Sequence, residues 1–457
     1  LYYLLNIWKW RKFTLLVASY LFYAAWNPPF VILLWISTIA DWKIGKGIFN
    51  SEHLGKRNLL LIASLGINLG LLGFFKYGNF FLENFTVLLQ SIGINFNPPP
   101  ANIILPVGIS FYTFQTLSYT IDIYRKQFKP WHSFLDYALY VTFFPQLVAG
   151  PIVRAKDFLD QCKRPKYFSG EQFSWGLSLI VLGLFEKIVV ADGLLAPITE
   201  SLYAVEGVPS FSAAWVGTFA FSGQIFCDFA GYSTCAIGAA LCLGFKLPIN
   251  FRFPYAAIGF SDFWQRWHIS LSTWLKDYLY IPLGGNRQGK IRTLVNLMTT
   301  MLLGGLWHGA AWTFVFWGGL HGTYLIGERL LKEKLGTYKI WQTTVAKLGL
   351  GLLTFVLICV TWVFFRADSF QQAGSIILAM IGLSTETASI TIGKQSIVIC
   401  LGVISSILGI HWLMRDSTVE QLVAKTPWYW ISIALALMLY GIATLHGEDR
   451  SFIYFQF

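Results

Sequence analysis

The chain has 457 residues and a formal net charge of +11, with 55% hydrophobic and only 12% charged side chains. A soluble domain carries roughly 25% charged residues, so the composition excludes an ordinary soluble protein and indicates a polytopic helical membrane protein. The Lys and Arg residues are scattered between apolar runs, so we expect cytoplasmic basic loops, a lipid bilayer as the surrounding partner and no nucleic-acid partner.

Apolar runs predict membrane crossings along most of the chain. The first residue is Leu1 and no signal-peptide pattern follows, so we expect some N-terminal residues to be missing. Charge-free runs of adequate length lie at 58–75, 210–227, 229–245, 293–327, 348–365, 395–414 and 427–446, and shorter or interrupted runs at 13–42, 101–121, 137–153, 174–197 and 369–385. A crossing helix needs about 20 apolar residues, so the expected fold is all-α, with roughly ten transmembrane helices plus re-entrant and interfacial helices.

The local composition of the chain changes between residues 104 and 327, a stretch rich in Gly, Pro, polar aromatic residues and isolated charges. Polar groups at membrane depth are expensive unless they face protein or water. We therefore predict one domain, 1–457, with its functional core at about 104–327. Three prolines predict a rigid loop at 94–102. The prolines and glycine of 141–158 leave two readings, a re-entrant segment or a kinked helix.

An aromatic and charged stretch at 250–287 carries the first candidate site. Its apolar side chains recur at helical spacing, which predicts an amphipathic interfacial helix over 263–280. A glycine pair at 284–285 ends this helix. Arg266 and His268 lie close together on it, so both are candidates for chemistry at a membrane interface.

The stretch LLGGLWHGAAWTFVFWGGLHG places His308 and His321 in a run, 293–327, that has no Asp, Glu, Lys or Arg. An imidazole can take a proton from a hydroxyl group and return it, and burial keeps its base form available. An apolar tunnel around it would exclude water, the competing acyl acceptor. The alternative is an imidazole that only hydrogen-bonds across a helix interface. That alternative stays open for His308 and is favoured for His321.

Other site chemistries lack a sequence signature. The six cysteines lie mostly in apolar runs, without a CxxC pair or zinc-type Cys/His spacing. GxSxG, Walker A and HExxH motifs are absent from the sequence. We therefore expect no disulfide framework, no structural metal and no bound cofactor.

Two long motifs resemble the membrane-bound O-acyltransferase (MBOAT) family. They are SDFWQRWHISLSTWLKDYLYIPLGGNR and LGGLWHGAAWTFVFWGGLHG, and the first His of the second motif lies forty residues after the His of the first. The likeness extends over nearly the whole chain, through LPVGISFYTFQTLSYTIDIYR, FFPQLVAGPIVRAKDF, GLFEKIVVADGL, GYSTCAIGAALCLGFKLPINFRFPY, TWVFFRADSF and FIYFQF. Within the family, the chain most resembles the membrane subunits of bacterial alginate O-acetyltransferases.

The resemblance implies an O-acyltransferase whose helices surround a central tunnel. It implies transfer of an acetyl group from a cytoplasmic donor, acetyl-CoA, toward an extracytoplasmic, alginate-like exopolysaccharide. It gives catalytic roles to His308 and His268, and supporting roles to Asp192 and His321. Beside His268, we expect Arg266 to support the reaction by orienting the donor or stabilising developing charge. The resemblance further implies an extracytoplasmic acetyltransferase partner protein and a multi-pass position in the cell (inner or plasma) membrane.

The chain departs from the subgroup at two places, which bear on acceptor identity. Glu186-Lys187 stands where the subgroup usually has two lysines, and Thr234 replaces an acidic residue. Three alternatives remain. A D-alanyl-transfer subunit for teichoic acid carries the same RWH and LWHG motifs. A transporter or flippase predicts inverted repeats, which we do not find. A scaffold for an export complex would tolerate loss of both motif histidines.

Overall fold

The computed structural model describes residues 2–99, 103–148, 150–384, 387–445, 447 and 450–453. Their regular structure is helical, apart from one isolated bridge between Pro209 and Ile390. The prediction of an all-α protein is therefore confirmed. Contacts divide the chain into two compact units: Leu1–Leu177 with Ala236–Pro248, and Ser178–Cys235 with Ile249–Phe457.

The α-helices of the described residues are, in chain order, α1 (Trp8–Trp26), α2 (Val31–Asn50), α3 (Leu54–Ser91), α4 (Ile109–Tyr124), α5 (Phe134–Thr142), α6 (Phe144–Leu147), α7 (Ala155–Cys162), α8 (Gly170–Leu184), α9 (Ala196–Tyr203), α10 (Phe211–Cys242), α11 (Phe260–Trp264), α12 (Ile269–Leu275), α13 (Lys290–His308), α14 (Trp312–Leu335), α15 (Thr344–Arg366), α16 (Phe370–Met380), α17 (Lys394–Leu413), α18 (Val419–Lys425) and α19 (Trp428–Thr444). Two π-helical segments, Phe185–Leu195 and Lys276–Tyr280, continue α8 and α12. Short 3₁₀ turns lie at Tyr2–Leu4, Pro28–Phe30, Pro254–Ala256 and Lys339–Gln342. Helices α8 and α10 contribute residues to both units.

Within the first unit, a buried polar cluster joins α2, α3 and α4. The carboxylate of Asp41 accepts hydrogen bonds from Ser64 Oγ at 2.5 Å, Asn68 Nδ2 at 2.7 Å and Thr120 Oγ1 at 3.2 Å. All four side chains are at most 1% exposed. Because a buried polar group is stable only when it is hydrogen-bonded, this cluster fixes the register of the three helices.

Four described helices are long and apolar enough to cross a membrane, namely α3, α10, α15 and α17, and α19 is a shorter apolar helix. This finding supports a membrane protein, whereas roughly ten crossings stays a prediction. The runs 210–227 and 229–245, which the sequence separates at Asp228, form one helix of 32 residues. They do so because Asp228 is buried and pairs with a lysine instead of entering a loop.

The helical path is broken where the sequence predicted a re-entrant or kinked segment. Helix α5 ends at Thr142, α6 spans only Phe144–Leu147, and the next helix begins at Ala155. Parts of several predicted segments lie outside the described residues: Ala149, the end of the loop at 94–102, the start of the run at 101–121, the ends of the runs at 369–385 and 427–446, and the last four residues of the terminal FIYFQF.

The predicted continuous helix over 263–280 is wrong. Helix α11 ends at Trp264 and α12 begins at Ile269, with His268 between them at φ 41° and ψ 55°. An α-helix cannot continue through this left-handed backbone conformation. The predicted end is confirmed, because Gly285 N–H donates to Tyr280 O at 2.9 Å and both glycines of the pair have positive φ.

Candidate active site

The loop that carries His268 is held open by residues 250–252 of the same unit. Ile269 N–H donates to the Asn250 carbonyl at 2.9 Å, and Ser270 Oγ donates to the Asn250 side-chain oxygen at 2.6 Å. Arg252 N–H donates to the Arg266 carbonyl at 2.9 Å. These bonds replace the ones that a continuous helix would make. They therefore hold a histidine in a backbone conformation that residues other than glycine rarely adopt.

The side chain of His268 is fully buried, and burial lowers its pKa to about 3. The imidazole is therefore neutral over the physiological pH range. A neutral ring keeps one nitrogen as an acceptor and one as a donor.

Arg266 binds the protein itself. Its guanidinium donates to Asp262 at 2.7 Å and to the carbonyl of Arg415 at 2.9 Å. Arg415 in turn donates to the second oxygen of Asp262 at 2.6 Å. Burial raises the pKa of Asp262, but the hydrogen bonds from Ile258 N–H and the two guanidinium groups outweigh it and lower that pKa below its ordinary value. This network fixes the loop between α11 and α12, on which both Arg266 and His268 lie.

Replacement of Asp262 by Asn should lower acyl transfer by about tenfold or more, because small displacements of a reacting group reduce rates strongly. The matched control is Asp416→Asn, since Asp416 also faces Arg266, at 4.0 Å, but its side chain is 82% exposed. Transfer rates at equal membrane expression provide the measurement. Equal rates for the two variants would contradict a positioning role for the Asp262 network.

The glycines of the second motif allow α13 and α14 to pack closely as a hairpin. A Cβ added at Gly305 would lie 2.2 Å from Phe314 O, and one added at Gly318 would lie 2.2 Å from Met301 O. Real side chains cannot approach a carbonyl so closely, so only glycine fits at these two contacts. The hairpin places His308 at the end of α13, where it is 2% exposed.

The two motif histidines lie next to each other. The ring centroids of His268 and His308 are 6.4 Å apart, and Trp307 contacts both rings at 5.9 and 5.0 Å. One histidine comes from the loop before α12 and the other from the end of α13, so the fold unites residues forty positions apart. Two buried imidazoles at this spacing can serve proton transfer and hydrogen bonding at a single reacting group.

His321 extends this cluster through a shared tryptophan. Trp317 contacts both rings, with centroids 5.0 Å from His308 and 4.5 Å from His321. His321 Nε2 lies 3.1 Å from Thr361 Oγ1. The structure therefore places three of the predicted site residues, His268, His308 and His321, in one continuous ring cluster.

Asp192 lies in a separate ionic cluster of the same unit. Lys187 Nζ lies 2.9 Å from Asp192 and 2.5 Å from Asp228, and all three side chains are nearly buried. The Asp228 carboxylate also accepts from Ile453 N–H at 2.8 Å. Next to it in sequence, the ring of Phe229 lies 4.6 Å from the ring of His268. The ionic cluster therefore fixes the part of α10 whose Phe229 ring packs against His268.

The sequence analysis did not identify Asp228, and it did not predict that Lys187 forms ion pairs with two buried carboxylates. An ionisable residue within a long apolar run is costly unless it is paired, so a lone Asp in the helix over 211–242 was a usable signal. Its partner was not predictable in the same way, because the π-helical turn that directs Lys187 toward it is a tertiary feature. Among the described residues, no group of three or more His, Cys, Asp or Glu side chains could hold a metal ion.

Residues 124–365 match the family model of the membrane-bound O-acyltransferase family, MBOAT. The chain belongs to this family. The match covers both histidine motifs and the helices that carry them. It confirms the predicted family and the prediction of an O-acyltransferase over the transporter and scaffold alternatives.

Individual relatives agree with this assignment. The chain is 40% identical to a probable alginate O-acetylase of Pseudomonas putida over 382 residues, which are 83% of this chain and 76% of that protein. It is 38% identical to a peptidoglycan O-acetyltransferase of Helicobacter pylori over 82% of this chain and 74% of that protein. A teichoic acid D-alanyltransferase of Streptococcus thermophilus is 29% identical over 56% of this chain and 65% of that protein. The similarity is thus higher to O-acetylating relatives than to this D-alanylating one.

Proposed function

We propose that this O-acyltransferase moves an acetyl group from a cytoplasmic donor toward an extracytoplasmic polysaccharide of alginate-like type. The buried pair of His268 and His308 carries this proposal, because it places two imidazole rings side by side among aromatic side chains. The names of the most similar relatives reported above support acetyl as the acyl group and a cell-envelope polysaccharide as the acceptor. Acetyl-CoA is the proposed donor, used as a substrate.

His308 is the proposed general base. It takes the proton of the acceptor hydroxyl as the oxygen attacks the acetyl carbonyl, and it returns that proton to the departing thiolate. A bond forms between the hydroxyl oxygen and the carbonyl carbon, and the thioester bond breaks, so the acetyl group moves and no oxidation occurs. His268, neutral at physiological pH, hydrogen-bonds to the reacting carbonyl group or to the donor.

The remaining predicted residues support this pair. Arg266 positions the His268 loop, as its contacts with Asp262 and Arg415 indicate. Asp192 forms an ion pair with Lys187, which also pairs with Asp228. Asp228 precedes Phe229, whose ring contacts His268. These contacts support a positioning role for Arg266 and Asp192, which acts through His268.

The family resemblance supports the wider arrangement that we propose. The chain forms one membrane domain over residues 1–457, with its functional core at about 104–327 and roughly ten crossings around a central tunnel. It lies in the cell (inner or plasma) membrane and passes the acetyl group to an extracytoplasmic acetyltransferase partner.

The test is the O-acetyl content of the exported polysaccharide in a host with and without this chain. We expect acetyl esters to disappear when the chain is removed and to return when it is restored. Purified chain in lipid vesicles should also consume acetyl-CoA in the presence of acceptor. Unchanged acetyl esters would refute the proposed function, and loss of D-alanyl esters instead would support the teichoic acid alternative.

A further inference from the structure

The ring cluster around His308 contains buried polar atoms that have no hydrogen-bond partner among the described residues. The side chains of Trp267, Trp317 and Trp362 are fully buried, and their indole N–H groups have no acceptor among the residues that the structure describes. Nδ1 of His321 is likewise buried without a hydrogen-bond partner in this part of the chain. Buried polar groups are normally hydrogen-bonded, so several unsatisfied groups in one place require an explanation.

These atoms belong to one contiguous cluster. The Trp317 ring lies 4.5 Å from His321 and 5.9 Å from Trp362, to which it is nearly parallel. Trp267 continues the cluster at 5.0 Å from Trp362. The ring of His308, the proposed base, also lies 5.0 Å from Trp317. The unsatisfied donors and the unsatisfied acceptor are therefore neighbours, and they adjoin the proposed base.

Thr361 determines which nitrogen of His321 is the acceptor. The Thr361 hydroxyl donates its single hydrogen to Ile358 O at 2.7 Å. A hydroxyl that donates there accepts at its 3.1 Å contact with His321 Nε2, which favours the tautomer with the proton on Nε2. In that tautomer Nδ1 holds a lone pair. The protein thus holds His321 in the tautomer that presents a basic nitrogen to the cluster.

We propose that Nδ1 of His321 and the indole N–H groups of Trp317 and Trp362 form a binding site for one hydroxyl group. A hydroxyl fits because it accepts from an indole N–H and donates to Nδ1 at the same time, whereas a carbonyl can only accept. The hydroxyl belongs either to the acyl acceptor or to an ordered water molecule next to His308. This inference rests on the proposed function and assigns His321 a ligand-binding role in it.

The first test uses Thr361, because its substitution changes the tautomer without removing a ring. We expect Thr361→Val to lower acetyl transfer by about tenfold, the effect of losing one buried hydrogen bond, and Thr361→Ser to restore most of it. Thr300→Val is the matched control, since Thr300 is also buried in a helix and donates only to its own helix, at Asn296 O.

Nitrogen-15 spectra of histidine-labelled protein provide a readout that a purely structural role would not move. The chain has seven histidines, and the His321 signal is assigned from its loss in His321→Asn. Wild type and Thr361→Ser should show protonated Nε2 and unprotonated Nδ1, and Thr361→Val should show a mixture. Protonated Nδ1 in the wild type would overturn the proposal, whatever the activity.

Kinetics with acetyl-CoA and a mannuronate oligosaccharide distinguish the two sources of the hydroxyl. If the acceptor supplies it, Trp317→Phe and Trp362→Phe raise KM for the oligosaccharide and do not change KM for acetyl-CoA. If water supplies it, both variants lower kcat for transfer at unchanged KM for the oligosaccharide. Wild-type kinetics in both variants would overturn this proposal, whereas absence of transfer by the wild type would overturn the proposed function instead.

Discussion

His308→Asn should abolish measurable acetyl transfer while the protein stays folded in the membrane. A positioned general base contributes about 10²–10⁴-fold to a rate, and asparagine cannot take up the proton. Asparagine retains a polar side chain of similar width, so we expect no large change in the melting temperature. The measurement is the O-acetyl content of exported polysaccharide, together with acetyl-CoA turnover by purified protein in vesicles.

The control for this substitution is His53→Asn, because His53 is exposed at the start of α3, in the first unit. It should leave acetyl transfer and membrane expression at wild-type levels. Full activity of His308→Asn would mean that this imidazole only packs against its aromatic neighbours. If both activity and expression fall, the melting temperature of the purified variant distinguishes loss of folding from loss of catalysis.

Lys187→Met should destabilise the second unit by about 3–5 kcal/mol, the usual effect of removing one partner from a buried ion pair. Its ammonium lies between the carboxylates of Asp192 and Asp228, whose side chains are 9% and 2% exposed. Without it, two negative charges remain buried side by side. We expect a strong loss of protein from the membrane and a lower melting temperature in detergent.

Lys163→Met provides the matched control in an exposed ion pair. Lys163 lies 2.7 Å from Asp160, but these side chains are 59% and 49% exposed. Such pairs contribute about 0–1 kcal/mol, so this variant should melt at nearly the wild-type temperature. Adding Asp228→Asn to Lys187→Met should recover part of the stability, since it removes one of the two carboxylates that lose their lysine partner. Equal melting temperatures for Lys187→Met and Lys163→Met would show that the cluster contributes little.

The elements that the sequence predicted well are those set by local pattern. Apolar length predicted the long helices, including α3, α15 and α17. The resemblance placed His268 and His308 in one site, and the structure brings their rings together. These features depend on residue type and on the order of motifs, and both can be read directly from the sequence.

The elements that it missed depend on contacts between distant residues. The break at His268 requires hydrogen bonds from 250–252, and helical periodicity alone predicted a continuous helix there. The structural role of Arg266 depends on Arg415, which lies 149 residues later in the chain. The role of Asp228 required its pairing with Lys187 to be known. Spacing in sequence carries no information about such pairings.

The contacts of residues 450–453 have a consequence for biosynthesis. Arg450 donates to the Asp192 carbonyl at 3.0 Å and to Glu200, and Ile453 N–H donates to Asp228 across a separation of 225 residues. At about 5–20 residues per second, a ribosome needs roughly 11–45 s to reach Ile453 after Asp228 has been made. During that interval the ionic cluster lacks its last hydrogen-bond donors, so the packing of α10 against His268 is completed only after residues 450–453 have been made. A nascent chain that stops short of these residues would therefore present an incompletely packed second unit to membrane proteases.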